Sequence, residues 1–305
     1  MTTNMTFITW LYNGFLYLKF CIFAYLFRCF DRVSKNDLEK KGYDLVFEDE
    51  FGSPVDWNKW RSHQTWGNVQ NNVIYKESQV SQNDSDVILT TDVNNISGEP
   101  PAKSGGLYSW NFLNIRYGYF ETREKVSPGG FSYWNAFWLS GTDAWPPEID
   151  VFELMGDDSS YITMTLHWRD VTKNKEQIQE VYNQIYQSYG YVATDFDDTI
   201  KYLQQPEWTQ QKQDYIDTLQ NLAQPAQQGK RLKFPGRDFL SNDYHTYACE
   251  WTDKKVVWYI DNVKVYKLDK HIPDKKMFLI INNGYTEGEL PMSLNCDYVR
   301  VYREK

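Results

Sequence analysis

The chain has 305 residues and a formal net charge of −9. That acidity excludes nucleic acid as an expected partner, because neutralising phosphates takes clustered Lys and Arg. Four cysteines without a C-x-x-C spacing or a His/Cys cluster speak against zinc or redox chemistry, and Cys249 and Cys296, both in strand-like runs, read as buried thiols rather than a bridge.

From the N-terminus, Phe7 to Phe27 is apolar and aromatic, broken by Lys19 and followed by Arg28 and Arg32. Its length allows a membrane span, although Lys19 near the middle would cost about 2.5–3.5 kcal/mol. There is no basic n-region or small-residue cleavage site, so it is a poor signal peptide. Residues 1–30 are therefore expected to form a membrane-anchor or interfacial helix, the alternative being an aromatic helix packed on the domain or a partner. This puts the protein at a membrane or outside the cell, although basic residues after the segment would keep the domain on the cytoplasmic side. Residues 31–42 read as a polar linker.

From Tyr43 to Leu166, short β-prone runs alternate with turn residues such as Asn94-Asn95, Ser97-Gly98-Glu99-Pro100-Pro101 and Ser127-Pro128-Gly129-Gly130, the spacing of a β-sandwich. Within this region lies Trp145-Pro146-Pro147-Glu148-Ile149-Asp150-Val151-Phe152-Glu153, with three carboxylates in six residues. In a regular strand Glu148 and Asp150 share a face and Glu153 points away. A β-bulge among Val151-Phe152 restores the phase and puts all three acids on one face. Glu148 and Glu153 then flank Asp150, about 13 Å apart at Cα by strand rise. Inward-leaning side chains would bring their carboxyls toward the roughly 5–5.5 Å at which one carboxylate attacks an anomeric carbon and the other protonates the leaving oxygen. A solvated acidic edge strand is the bland alternative, but like charges on one face repel, and nearby Trp134, Trp138 and Trp145 add the flat surface a sugar needs. Alternation puts Trp134, Ala136 and Trp138 on one face.

Between about residues 173 and 228 the chain is Gln-rich and helical in period. Ile178, Val181, Tyr182, Ile185 and Tyr189 line one helix, and a second is expected from Glu207 to Leu222, with Thr209 or Pro206 near its start. Strands resume from Tyr244 to Tyr302.

The acidic strand also resembles the active-site strand of glycoside hydrolase family 16 in its bulged form E-x-D-x-x-E. The resemblance extends to Leu45-Val46-Phe47-Glu48-Asp49-Glu50-Phe51, to Ser104-Gly105-Gly106 with Tyr117-Gly118-Tyr119-Phe120-Glu121-Thr122-Arg123, to Tyr244-His245-Thr246-Tyr247-Ala248-Cys249-Glu250-Trp251 with Val257-Trp258-Tyr259-Ile260-Asp261, and to Asp297-Tyr298-Val299-Arg300-Val301-Tyr302. These blocks occur in the family's order over about residues 43–303. The resemblance implies an all-β jelly-roll sandwich, concanavalin A-like, over residues 43–305, with the helical stretch as an insertion that is either a surface appendage or a lid.

By the same resemblance Glu148 matches the nucleophile, Glu153 the acid/base, and Asp150 an auxiliary residue able to share a proton. Trp145, Trp134 and Trp138 match stacking positions. Arg123 matches a cleft arginine, the alternative being a surface ion pair. His167 matches a cleft histidine, and Asn71 and Asn72 a sugar-reaching pair. Asp297 and Glu50 match positions near a structural calcium that many relatives carry; no cofactor is implied for catalysis. The implied activity is retaining endo-hydrolysis of a β-linked polysaccharide, a β-1,3-glucan or a galactan. Relatives acting on β-1,3-glucan usually carry a GGNW run where this chain reads Asn283-Gly284-Tyr285-Thr286-Glu287-Gly288. Transglycosylation through the same intermediate, or glycan binding without turnover, are the alternatives.

Overall fold

A computed structural model describes residues 38–305 apart from 40, 41, 53, 64–66, 71, 129–132, 157, 206, 208 and 235–238. The apolar segment 1–30 and nearly all of the linker 31–42 lie outside the described residues. Among the described residues no helix is long and apolar enough to cross a membrane.

The chain opens with strands β1 (Tyr43–Asp49), β2 (Val69–Gln70), β3 (Val73–Tyr75), β4 (Val80–Gln82), β5 (Val87–Val93), β6 (Ala102–Ser104) and β7 (Gly106–Tyr108). Four longer strands follow: β8 (Gly118–Lys125), β9 (Tyr133–Gly141), β10 (Glu148–Gly156) and β11 (Tyr161–Arg169). Helices α1 (Lys175–Tyr189), α2 (Phe196–Leu203) and α3 (Gln210–Leu222) interrupt the β pattern. It resumes with β12 (Pro225–Lys233), β13 (His245–Trp251), β14 (Val256–Ile260), β15 (Val263–Leu268), β16 (Met277–Tyr285) and β17 (Met292–Glu304).

Among the described residues the strands form two sheets. One has 11 strands, with the path β15-β14-β13-β8-β17-β5-β6-β3-β2 and with β1 and β4 as side pairs; the other has six, ordered β12-β11-β10-β9-β16-β7. Alternation along each strand explains how they stack. Phe137 and Leu139 of β9, Ile149 and Leu154 of β10, Met164 and Leu166 of β11 and Leu279 and Ile281 of β16 point inward. They meet Phe120, Tyr247, Cys249, Trp258, Leu294 and Val299 from the larger sheet in one buried core. Each such side chain contributes roughly 1.5–3 kcal/mol by leaving water. The opposite residues of the six-stranded sheet are thereby left on its outer face, which carries the acids. Cys249 and Cys296 are free and buried, as expected.

A polar staple crosses this core. Asn135 Nδ2 donates to Asn283 Oδ1 at 2.6 Å within the smaller sheet, and Asn283 Nδ2 donates to the Leu89 carbonyl of the larger one at 2.9 Å. Because every buried polar group here needs a partner, the pair fixes the register of β9 against β16 at the end nearest Trp134.

The helices form a satellite with its own core, in which Ile178, Val181 and Ile185 of α1 meet Phe196, Ile200 and Leu203 of α2 and Ile216 and Leu219 of α3. Thr209 caps α3, accepting from Lys212 N at 3.2 Å, so this helix begins at Gln210 rather than the expected Glu207, with one of the two expected residues as its cap. Helix α2 was not expected from the sequence; Asp195 caps it, accepting from Asp198 N at 2.9 Å. The expected insertion boundary at 228 also moves. Pro225 already begins β12, an edge strand paired along one side with β11. Its residues are mostly exposed and therefore polar, which hides the strand from a hydrophobic pattern.

Candidate active site

Strand β10 sits between β9 and β11, and its pairing with both shifts register after Asp150. This is the expected bulge. Val151 and Phe152, consecutive residues, both enter the core, while Glu148, Asp150 and Glu153 all line one cleft of about 770 Å³ on the outer face. A bulge leaves ladder groups unpaired. The Asp150 carbonyl finds its partner across the sandwich, where Trp258 Nε1 of β14 donates to it at 2.8 Å.

The cross-strand neighbours complete the site. Glu148 lies opposite His167 of β11, Asp150 between Trp138 of β9 and Thr165 of β11, and Glu153 between Ala136 and Thr163. His167 Nε2 stands 3.2 Å from Glu148 Oε1 and 3.1 Å from Asp150 Oδ2. Each glutamate also receives an indole: Trp145 Nε1 donates to Glu148 Oε2 at 3.0 Å, and Trp134 Nε1 to Glu153 Oε1 at 2.8 Å. Trp145 leans over the cleft with 47% of its surface exposed, at the end of a tight loop in which Gly141 N donates to Pro147 O at 2.9 Å. Gly141 is required there, since a Cβ would fall 2.3 Å from the Ala144 carbonyl. Gly284 on β16 gives Trp134 its space, because a Cβ would meet that indole at 3.1 Å.

Three carboxyls packed together and largely withdrawn from water hold protons that isolated ones would release. Burial pushes Glu148 up to about 8; the charge of Asp150 adds to the rise, while His167 and the Trp145 indole oppose it. Burial raises Asp150 well above the ordinary range, Glu153 adding to it, with hydrogen bonds from Glu148 and Thr165 pulling back. Burial also raises Glu153, against the Trp134 indole. The cluster titrates as a unit, so near neutrality it carries fewer charges than carboxyls. One charge and one proton are what double displacement uses. His167 and the Trp145 indole offset part of the rise at Glu148, the glutamate that double displacement needs ionised once substrate is bound; in the empty cleft burial and Asp150 outweigh them and hold its proton up to about pH 8.

The other residues singled out in the sequence divide. Trp134 and Trp138 share the cleft face, as alternation required, but Trp138 is buried and donates to Asn282 Oδ1 at 2.9 Å, so it forms floor rather than platform. Arg123 is not in the cleft: β8 belongs to the 11-stranded sheet, where its guanidinium pairs with Asp297 at 2.8 Å and lies over the Tyr244 ring. Asn71 lies outside the described residues. Asn72 turns the chain between β2 and β3 at φ 59°, a left-handed position asparagine tolerates, and the neighbouring Gln70 lines the cleft instead.

The calcium pair does not fit a metal. Glu50 accepts two hydrogen bonds from Arg300, at 2.7 and 3.0 Å, and Asp297 is held by Arg123, whereas calcium needs six or more oxygens free to converge. The sequence reading also missed Gln70, Asn282, Thr165 and Trp258. Of these only Thr165 carried a signal, being two residues before His167 and so on its face.

An acidic cleft floored and rimmed by tryptophans, across one face of a two-sheet sandwich, defines a carbohydrate-active β-sandwich protein. The chain belongs to Glycosyl hydrolases family 16, whose profile matches residues 67–199 and 207–293. It is similar to the endo-1,3-1,4-beta-glycanase ExsH of Rhizobium meliloti (strain 1021), 23% identical over 215 residues that cover 65% of this chain and 33% of that protein. It is also similar to the glucan endo-1,3-beta-glucosidase A1 of Niallia circulans, 23% identical over 315 residues, 87% of this chain and 38% of that one. The chain thus spans little more than a third of the length of these curated relatives. Among solved structures, the laminarinase catalytic domain from Thermotoga maritima MSB8 superposes with a TM-score of 0.61 at 22% identity, covering 87% of this chain and 99% of that one. The likeness is one of fold.

The indole on Glu153 yields a direct test. Trp134→Phe keeps a ring but removes the N–H that favours the ionised glutamate. Glu153 should then hold its proton to higher pH, and the alkaline limb of the kcat/KM profile should move upward by about half a unit or more. An unmoved limb would mean that Glu153 is not the acid.

Proposed function

We propose that this chain is an endo-acting retaining hydrolase of a β-linked polysaccharide, with β-glucan as the first substrate class to test. The observation that carries the reading is the bulge, which holds Glu148 and Glu153 on one face around Asp150, each with an indole donor. Glu148 attacks the anomeric carbon while Glu153 protonates the leaving oxygen. Glu153 then takes a proton from the water that releases the sugar, so configuration is retained. Asp150 and His167 hold Glu148 between them and adjust its charge. Trp145, largely open to solvent at the rim, offers the face on which a ring stacks. The names of relatives that act on β-1,3- and mixed-linkage glucans support the substrate class. The test is release of reducing ends by the full chain from β-1,3-glucan, mixed-linkage β-glucan and agar-type galactans, beside Glu148→Gln. Release by the parent and none by the variant is the expected result; silence of the parent on every polymer would overturn it.

A further inference from the structure

The loop 141–145 that carries Trp145 has two sides. One side lines the catalytic cleft; the other lines a second chamber of about 370 Å³ whose opposite wall is the helical insertion. The walls are tied together. Arg169 Nη2 donates to the Trp145 carbonyl at 2.7 Å and its Nη1 to the Ala223 carbonyl beyond α3 at 3.1 Å, with the guanidinium over the Phe196 ring of α2. On the far side Lys275 reaches Asp195 at 3.5 Å and Asp198 at 3.9 Å, while the Lys276 carbonyl accepts from Thr142 N at 3.0 Å. The lip and the insertion are therefore braced at both ends, and the space between them is held open.

The chamber's chemistry is that of a sugar site. Helix α2 and its C-cap Gln204 present Asp197, Ile200, Lys201 and Gln204 at helical spacing, so they fall on one face, and Gln220 of α3 joins them. Lys201, Gln204 and Gln220 are exposed, and among the described residues their side-chain ends have no hydrogen-bond partner. Amides both donate and accept, as sugar hydroxyls do, and Trp145, itself 47% exposed, is among the residues that line the chamber. Lys201 and Lys275 share the chamber with Asp197 and Asp198, a balance of charge that suits a neutral ring. The volume is within the range of small-molecule sites.

We infer that the helical insertion builds an additional sugar-binding subsite, in which a neutral pyranose of the polysaccharide sits beyond Trp145 against Lys201, Gln204 and Gln220. The inference rests on the hydrolase reading and deepens it. Trp145 touches Glu148 with one edge, so the subsite stands one side chain from the reacting carbon, and a substrate long enough to pass the lip gains binding that a shorter one lacks. The insertion then lengthens the cleft rather than closing it.

The experiment measures kcat/KM for linear β-1,3-gluco-oligosaccharides of three to six units with the full chain and with Lys201→Ala/Gln204→Ala/Gln220→Ala. These are exposed positions, and an unchanged Tm checks that the variant folds. In the parent the ratio of kcat/KM between the longest and shortest oligosaccharide is expected to be large, and in the triple variant to fall by about tenfold, equivalent to about 1.4 kcal/mol. Products from polymer should shift in size accordingly. An identical length dependence in parent and variant would overturn the subsite while leaving the hydrolase standing. A parent that cleaves none of the oligosaccharides or polymers would remove both.

Discussion

Glu148→Ala is expected to lose turnover by about a thousandfold or more and to regain part of it in azide, with a product of inverted configuration. In the proposed mechanism Glu148 meets the face of the sugar opposite the leaving group, so removing it would leave a hole the size of a small anion. Azide entering there attacks the β-linked anomeric carbon once, while Glu153 still protonates the leaving oxygen, and the sugar leaves as the α-azide. Glu153→Ala should behave differently. With an aryl β-oligosaccharide whose leaving group needs no proton, Glu148 still forms the glycosyl-enzyme, which then waits for a base that is missing. Azide needs no base. It attacks from the face the leaving group vacated, and the second inversion gives the β-azide. The anomeric configuration of each product, read by NMR, thus assigns the two roles separately. Products of swapped configuration would exchange Glu148 and Glu153, and full activity in either variant would remove that residue from the mechanism.

How far the site was legible can be traced residue by residue. The bulge was readable because Glu148 and Glu153 are an odd number of residues apart while Val151 and Phe152 are both apolar. No regular strand puts the acids out and these two in, and the register shifts after Asp150 as that conflict requires. Trp134 and Trp138 were readable as one face by alternation alone. Which of them meets substrate was not, since that depends on Asn282, 144 residues further on, reaching the Trp138 indole. Arg123 shows the limit of a motif: its strand looks the same whichever sheet it joins, and pairing with β13 and β17 puts it in the larger sheet, away from the cleft. Asp297 and Glu50 fail as a metal pair for a similar reason, because their arginine partners come from other strands. Strand β12 and helix α2 were missed because a one-sided edge strand and an eight-residue helix bury too little to leave a clear period. Local pattern decided the face of each residue; long-range pairing decided its neighbours.

Glu148→Gln should also make the protein more stable than the parent at pH 8 and no more stable at pH 4. Three carboxyls crowd the cleft, and Glu148, held up to about 8 by burial and by Asp150, keeps its proton in the folded state where the unfolded chain has released it. A group whose folded pKa lies above its unfolded value supports the fold fully below the unfolded value, near 4, and loses that support as pH rises toward the folded one. Asp150 and Glu153 are shifted the same way, so the window of loss for the parent runs from about pH 4 to 8. Gln at this position cannot ionise. Its carbonyl still accepts from the Trp145 indole, its amide can donate to Asp150, and no charge is forced beside Asp150 as pH rises. For a side chain only 15% exposed the difference at pH 8 is on the order of 2 kcal/mol, or roughly 4–8 °C in Tm. The check is thermal unfolding of parent and variant across this window. A parent equal to or above the variant at pH 8 would mean that Glu148 ionises in the free protein as an ordinary carboxyl does, and that the cluster stores no strain. The expected result places the destabilisation where the chemistry is: crowding disfavours a second charge in the empty cleft and so keeps a proton within the three-carboxyl cluster, and in the proposed mechanism substrate binding leaves that proton on Glu153, the acid of the first step, and the charge on Glu148.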